Sequence, residues 1–269
     1  MQPPPDPHSD TPFLPTLGQG LVLWVLYVVG NNLGGMFAGA VERSSPGSWW
    51  TIALSAVLLA VPPLAVVWLG KRLTGRPWTV VLPIRSPPPW AALLVVFSAA
   101  GLQLANLGLL LSVAEFLPCG EHPLAAQLAN APALKLLLIA PLTEESMFRG
   151  LLLGGFLLAY RRWTAILLSA SLFAAIHGHP VQAVTALASG VFLSWLMAES
   201  GNLALPLLGH AVANGVALAL ADLPDLAAHF VARPVSFGIL GLSILVAGAV
   251  LLPRTLRAAP LPSLTMEAP

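Results

Sequence analysis

Long apolar runs alternate with short polar breaks along this chain, and the runs are long enough to be read one by one as membrane spans. A helix rising about 1.5 Å per residue needs about 20 mostly apolar residues to cross a hydrocarbon core about 30 Å thick. Eight stretches qualify or come close: Leu17 to Ala40, Trp49 to Gly70, Trp90 to Ala114, Ala133 to Tyr160, Trp163 to His177, Val181 to Ala198, Leu203 to Ala221 and Val235 to Leu252. The fifth and sixth are short, with only Gly178, His179 and Pro180 between them. No stretch alternates with strand period, and an open sheet would leave backbone groups unpaired in lipid. The expectation is an all-α fold, a polytopic membrane protein of about eight transmembrane helices in one domain over 17–252. No long-period repeat divides it. Residues 1–16 hold six prolines and no lysine or arginine, and read as a disordered tail rather than a basic leader. Residues 253–269 read as a second tail.

Composition strengthens this picture. Hydrophobic residues make up 57% of the 269 positions and charged ones 9%, against roughly 25% charged in soluble domains. Mean hydropathy is +0.83, spread along the chain, which excludes an ordinary soluble globule. A net charge of +1 offers no basic face for phosphates, so nucleic acid is not an expected partner. The single cysteine, Cys119, rules out an intrachain disulfide and a cysteine-rich metal site. Basic residues outside the spans are unevenly divided. Lys71, Arg72, Arg76, Arg85, Arg161, Arg162, Arg254 and Arg257 fall on one side, Arg43 and Arg233 on the other. That asymmetry predicts both termini in the cytoplasm.

Of eleven acidic residues, nine fall in tails, loops or span ends. Glu144 and Glu145 do not, since they lie inside the fourth span, in Pro141-Leu142-Thr143-Glu144-Glu145-Ser146-Met147-Phe148-Arg149. A charge at mid-membrane costs about 2.5 to 3.5 kcal/mol on insertion scales, so such residues face a polar interior and mark function. Glu145 and Arg149 stand four apart, on one helix face, where they can pair. Glu144 is turned about 100° away and is left for other work. Two further polar pairs follow one turn apart, Phe173 with His177 and His210 with Asn214. Counted from the cytoplasmic helix ends at about 1.5 Å per residue, Glu144 lies roughly 24 Å deep, His177 21 Å, His210 10 Å and Asn214 17 Å. Tilt and boundary error leave room for one shared site.

Glu144-Glu145-x-x-x-Arg149, Phe173-x-x-x-His177 and His210-x-x-x-Asn214, in that order on three apolar segments, resemble the CAAX prenyl protease and bacteriocin-processing family (CPBP, also called ABI) of intramembrane endopeptidases, which includes the type II CAAX prenyl endopeptidase. The resemblance covers about 133–221. It implies that Glu144 and His177 activate a water, that His210 and Asn214 stabilise the oxyanion, that Glu145 and Arg149 form a supporting ion pair, and that Phe173 packs near the site. It implies no cofactor, a membrane-anchored protein or peptide as substrate, and cleavage near that substrate's membrane-associated, C-terminal end. Composition and short tails suit a bacterial inner membrane.

Other readings compete with this one. Glu144, His177 and His210 could hold Zn²⁺, although His-Glu-x-x-His is absent. The ion pair could serve a non-catalytic transporter or scaffold, or merely fix helix packing. His179, two residues past His177, is a rival base beside Pro180. Cys119 with His122 is a weak nucleophile pairing in a loop. Gly34-Gly35 and Gly154-Gly155 read as points of close helix approach.

Overall fold

The computed structural model describes residues 16–113, 133–178 and 180–256. Cys119, His122, His179 and both predicted tails up to Pro15 and from Arg257 lie outside the described residues. Within them there is helix and no strand. The elements are α1 (Leu17–Ser44), α2 (Trp49–Thr74), the short α3 (Trp78–Val81), α4 (Pro89–Val113), a composite helix α5 over 133–159, α6 (Arg162–Ala175), α7 (Pro180–Ser200), α8 (Ala204–Asp222), α9 (Pro224–Ala232) and α10 (Pro234–Leu256).

All eight apolar runs are helical, and six of the helices are long and apolar enough to cross a bilayer. Two runs depart from the expectation of eight uninterrupted spans. The run at Trp163 to His177 forms a helix of 14 residues, α6, about 21 Å long at the standard rise. The run at Ala133 to Tyr160 is not a regular α-helix. It passes from a π-helical turn at Lys135–Ile139 through an α-helical turn at Ala140–Glu145 to a π-helical stretch at Ser146–Leu152, then returns to α at Leu153–Ala159. Such wide turns are rare and gather at functional sites.

Lipid-facing positions stay apolar: Val22, Phe37 and Ile239 are each about 60% exposed. The interior forms two clusters. One joins Leu23 and Tyr27 of α1 to Met147, Phe148 and Phe156 of α5 and Phe173 of α6. The other joins Ala91 and Val95 of α4 to Leu193 and Leu196 of α7, Leu205 of α8 and Leu252 of α10. Trp195 packs against both.

In lipid there is no hydrophobic drive between helices, so they meet through small residues. A Cβ on Gly108 of α4 would stand 2.6 Å from Cα of Gly238 of α10, and one on Gly101 would stand 2.7 Å from the carbonyl oxygen of Gly241. Between α1 and α2 the contact follows from a proline. Pro62 cannot donate to the carbonyl of Leu58, four residues back, and that carbonyl lies against Gly34, where no side chain fits. Gly34 thus makes the expected close approach, whereas a Cβ on its neighbour Gly35 or on Gly154 would meet nothing within 4 Å.

Helices α1 and α5 run antiparallel. The amide of Leu17 donates to the Tyr160 hydroxyl at 3.0 Å, Gly20 meets Phe156, and Tyr27 meets Phe148 edge to face at 5.5 Å between ring centres. At one end of the bundle Asn202 clamps the chain before α4 to the turn before α8. It accepts from the Arg85 amide and donates to the Arg85 carbonyl, both at 3.0 Å. Arg85 also donates to the Gly201 carbonyl at 2.8 Å, and Arg162 pairs with Glu199 nearby in the fold.

Candidate active site

The middle of α5 delivers three ionisable groups. Glu145 and Arg149 are one turn apart and fully buried, with Nη1 of Arg149 2.9 Å from Oε1 of Glu145. Nη2 of Arg149 donates to the carbonyl of Gly190 on α7 at 3.3 Å. Gly190 sits tightly against Ala170 and Phe173, which a Cβ there would meet at 3.1 and 3.2 Å. The guanidinium also lies 4.3 Å from the centre of the Phe173 ring, a cation on an aromatic face.

His210, on α8, reaches the same carboxylate. Its Nδ1 is 2.7 Å from Oε1 of Glu145, and its Nε2 is 3.9 Å from Oε2 of Glu144. Oε1 of Glu145 already accepts from Arg149, so Nδ1 of His210 is the donor in this contact. The ring is thereby oriented with Nε2 toward Glu144.

Glu144 points elsewhere, as its 100° offset requires. Its side chain is 19% exposed, and it lines a cavity of about 500 Å³ with Thr143, Ala140, Ile139 and Lys135 of α5 and Asn31, Asn32, Gly35 and Met36 of α1. Among the described residues it accepts no hydrogen bond.

His177 follows the end of α6. Its Nδ1 lies 3.0 Å from the Phe173 carbonyl, which can only accept, so Nδ1 is the donor and, among the described residues, Nε2 makes no hydrogen bond. The Phe173 ring touches His177 at 4.9 Å and His210 at 5.9 Å between centres, both edge to face. Phe173 therefore occupies the middle of the site and spaces the two imidazoles.

Asn214 has a different contact from an open oxyanion donor: its Nδ2 donates to the carbonyl of Leu136 at 2.8 Å. The reason lies in α5. In the π-helical register each amide donates five residues back, as Ala140 does to Lys135. The next donor in that register would be residue 141, a proline without N–H, so the Leu136 carbonyl is left over. The side chain of Asn214 takes its place and ties α8 to α5.

Two groups in α1 escaped the motif reading. Tyr27 is buried and packs on Phe148, within the same cluster as Phe173. Asn31 and Asn32 sit midway along an apolar span and face the cavity. Their polarity at that depth was the signal available in the sequence.

Among the described residues no three His, Cys, Asp or Glu side chains gather closely enough to hold a metal ion. The two imidazoles are separated by the Phe173 ring, and Glu144, His177 and His210 do not form such a group in this arrangement.

An all-helical, multi-pass bundle with a buried Glu-Glu-Arg-His cluster opening to an internal cavity is an architecture suited to chemistry inside a membrane. Residues 127–216 match the family model described as Type II CAAX prenyl endopeptidase Rce1-like. The match spans about a third of the chain and contains all three motifs, so this stretch is similar to the CPBP, or CAAX protease, family. No curated protein and no solved structure matches the chain.

Proposed function

We propose that this protein is an intramembrane endopeptidase that hydrolyses a peptide bond near the membrane-associated, C-terminal end of an anchored protein or peptide, with no metal. The observation that carries the reading is the pair of adjacent glutamates put to opposite uses. Glu145 is buried and fixed by Arg149 and His210, while Glu144, 3.9 Å from His210, opens to a cavity.

In this mechanism Glu144 takes one proton of a water that also hydrogen-bonds Nε2 of His177, and the water's oxygen attacks the scissile carbonyl carbon. The C–O bond forms, and the carbonyl electron pair moves to oxygen. His210, protonated and held through Nδ1 by Glu145, donates from Nε2 to that oxyanion. Collapse breaks the C–N bond, and the proton held by Glu144 passes to the leaving amine. One oriented oxyanion donor is worth about 2.7 to 4 kcal/mol in comparable sites. Asn214 has one amide hydrogen on Leu136 and a second left for the substrate oxygen.

The basic residues at the Arg85, Arg161 and Arg162 end support a cytoplasmic position for that end, and the composition supports a bacterial inner membrane. The test is cleavage by purified protein in nanodiscs of a pool of quenched, transmembrane-anchored peptides. Wild type is expected to cut, and Glu144→Gln, equally expressed, is expected not to. Equal turnover by both would overturn the mechanism.

A further inference from the structure

We propose that the cleft between the second half of α1 and the first half of α5 binds the substrate as an extended peptide, with the side-chain amides of Asn31 and Asn32 hydrogen-bonding its main chain. The inference rests on the peptidase reading and adds to it a binding surface on α1, outside the stretch 127–216 that carries the family resemblance.

The geometry of the two helices makes the cleft. They are in contact from Leu17 with Tyr160 through Gly20 with Phe156 to Tyr27 with Phe148. Beyond Tyr27 the space between them becomes the cavity of about 500 Å³, with Asn31, Asn32, Gly35 and Met36 on one wall, Lys135, Ile139, Ala140, Thr143 and Glu144 on the other, and Leu59 of α2 alongside. That volume lies within the range of pockets that enclose small ligands, about 300 to 1,000 Å³. Thr143 and Glu144 line the cavity at the end nearer Tyr27, and Lys135 lines the other end. A chain lying along the cleft would pass directly in front of Glu144.

The chemistry of the wall selects peptide over lipid. An asparagine in the middle of a span is costly without a partner. Asn32 donates one amide hydrogen to the Val28 carbonyl at 2.7 Å, which leaves its second hydrogen and its Oδ1. Among the described residues the Asn31 amide has no partner. Together they offer amide donors and acceptors that a peptide main chain of any sequence can satisfy. An acyl chain would leave them unpaired. Thr143 on the opposite wall donates within its own helix, to Ile139 at 2.9 Å, so the amides of α1 are the groups free to recognise a backbone.

The test uses full-length protein in nanodiscs with Cys119→Ser, so that the introduced thiols are the only ones. Asn31→Cys, Asn32→Cys and a control, Phe37→Cys, whose side chain is 60% exposed on the face of α1 turned away from the cavity, are mixed with transmembrane-anchored peptides carrying one cysteine at successive tail positions. Disulfide trapping is read on gels, with Glu144 intact and with Glu144→Gln. Trapping concentrated at positions 31 and 32 in both backgrounds is the expected result. Equal trapping at position 37, or none at 31 and 32, overturns the proposal. Trapping at 31 and 32 without cleavage by the Glu144 form would sink the peptidase reading and leave the peptide cleft standing. In the cleaving enzyme, Asn31→Leu and Asn32→Leu should each raise KM by about two- to tenfold with kcat little changed, the worth of one hydrogen bond.

Discussion

Replacing Arg149 by methionine removes the cation of a fully buried ion pair. Arg149 and Glu145 are both fully buried, and Oε1 of Glu145 accepts from Nη1 at 2.9 Å and from His210 at 2.7 Å. In Arg149→Met the carboxylate remains buried beside Glu144 without a counter-charge, and Phe173 loses the guanidinium 4.3 Å above its ring. Breaking a buried pair from one side costs about 3 to 5 kcal/mol, and a chain of this size loses about 2 to 4 °C of melting temperature per kcal/mol. The expected drop is therefore about 6 to 20 °C. Tryptophan fluorescence of the purified protein in one detergent, at one scan rate, measures it. The double variant Glu145→Gln/Arg149→Met removes the uncompensated charge, keeps an acceptor for Nδ1 of His210, and should regain more than half of the loss. A drop of under about 3 °C for Arg149→Met, or a double variant as unstable as the sum of the singles, would refute the claim that the pair is a desolvated ionic unit.

Asn214→Ala should cost about 0.6 to 1.7 kcal/mol, the range of interhelical hydrogen bonds in membranes, and should speed amide exchange by mass spectrometry in the 135–140 segment, because Pro141 cannot serve the Leu136 carbonyl. Unchanged exchange would mean that Asn214 does not brace α5. Gly108→Val puts a side chain where Gly238 lies 2.6 Å from the first added atom, so α4 and α10 should separate at a cost of about 1 to 3 kcal/mol; an unchanged melting temperature would contradict that packing. Dialysis against a strong chelator should leave peptide cleavage intact, since the described histidines and carboxylates do not converge as ligands; loss of activity restored by zinc would reverse this.

What was legible in the sequence follows from what lipid forbids. A span must be continuously apolar, so the eight runs were visible, and a buried charge pair must be local or matched, so Glu145 with Arg149 could be read from a spacing of four. The detailed form of α5 could not. A π-helical turn leaves no periodic signature over five to seven residues, and the only visible hint was Pro141. Its consequence, the orphaned Leu136 carbonyl met by Asn214, depends on α8 lying alongside, which no local pattern encodes. The contribution of α1 was hidden for the same reason: Tyr27, Asn31 and Asn32 are polar residues in an apolar run, and only the antiparallel register of α1 on α5 shows that they face Glu144. His210 could be singled out as polar in its span, but its bond to Glu145 rather than to substrate alone required the packing of α8 on α5.

The central claim is that Glu144 does proteolytic chemistry inside the membrane. Terminal-peptide mass spectrometry of membranes from cells carrying the wild-type chain or Glu144→Gln, matched for expression, addresses it most directly. The account predicts at least one new protein terminus present with wild type and absent with the variant, with the uncut precursor accumulating in its place. Identical sets of termini from the two membranes would contradict it.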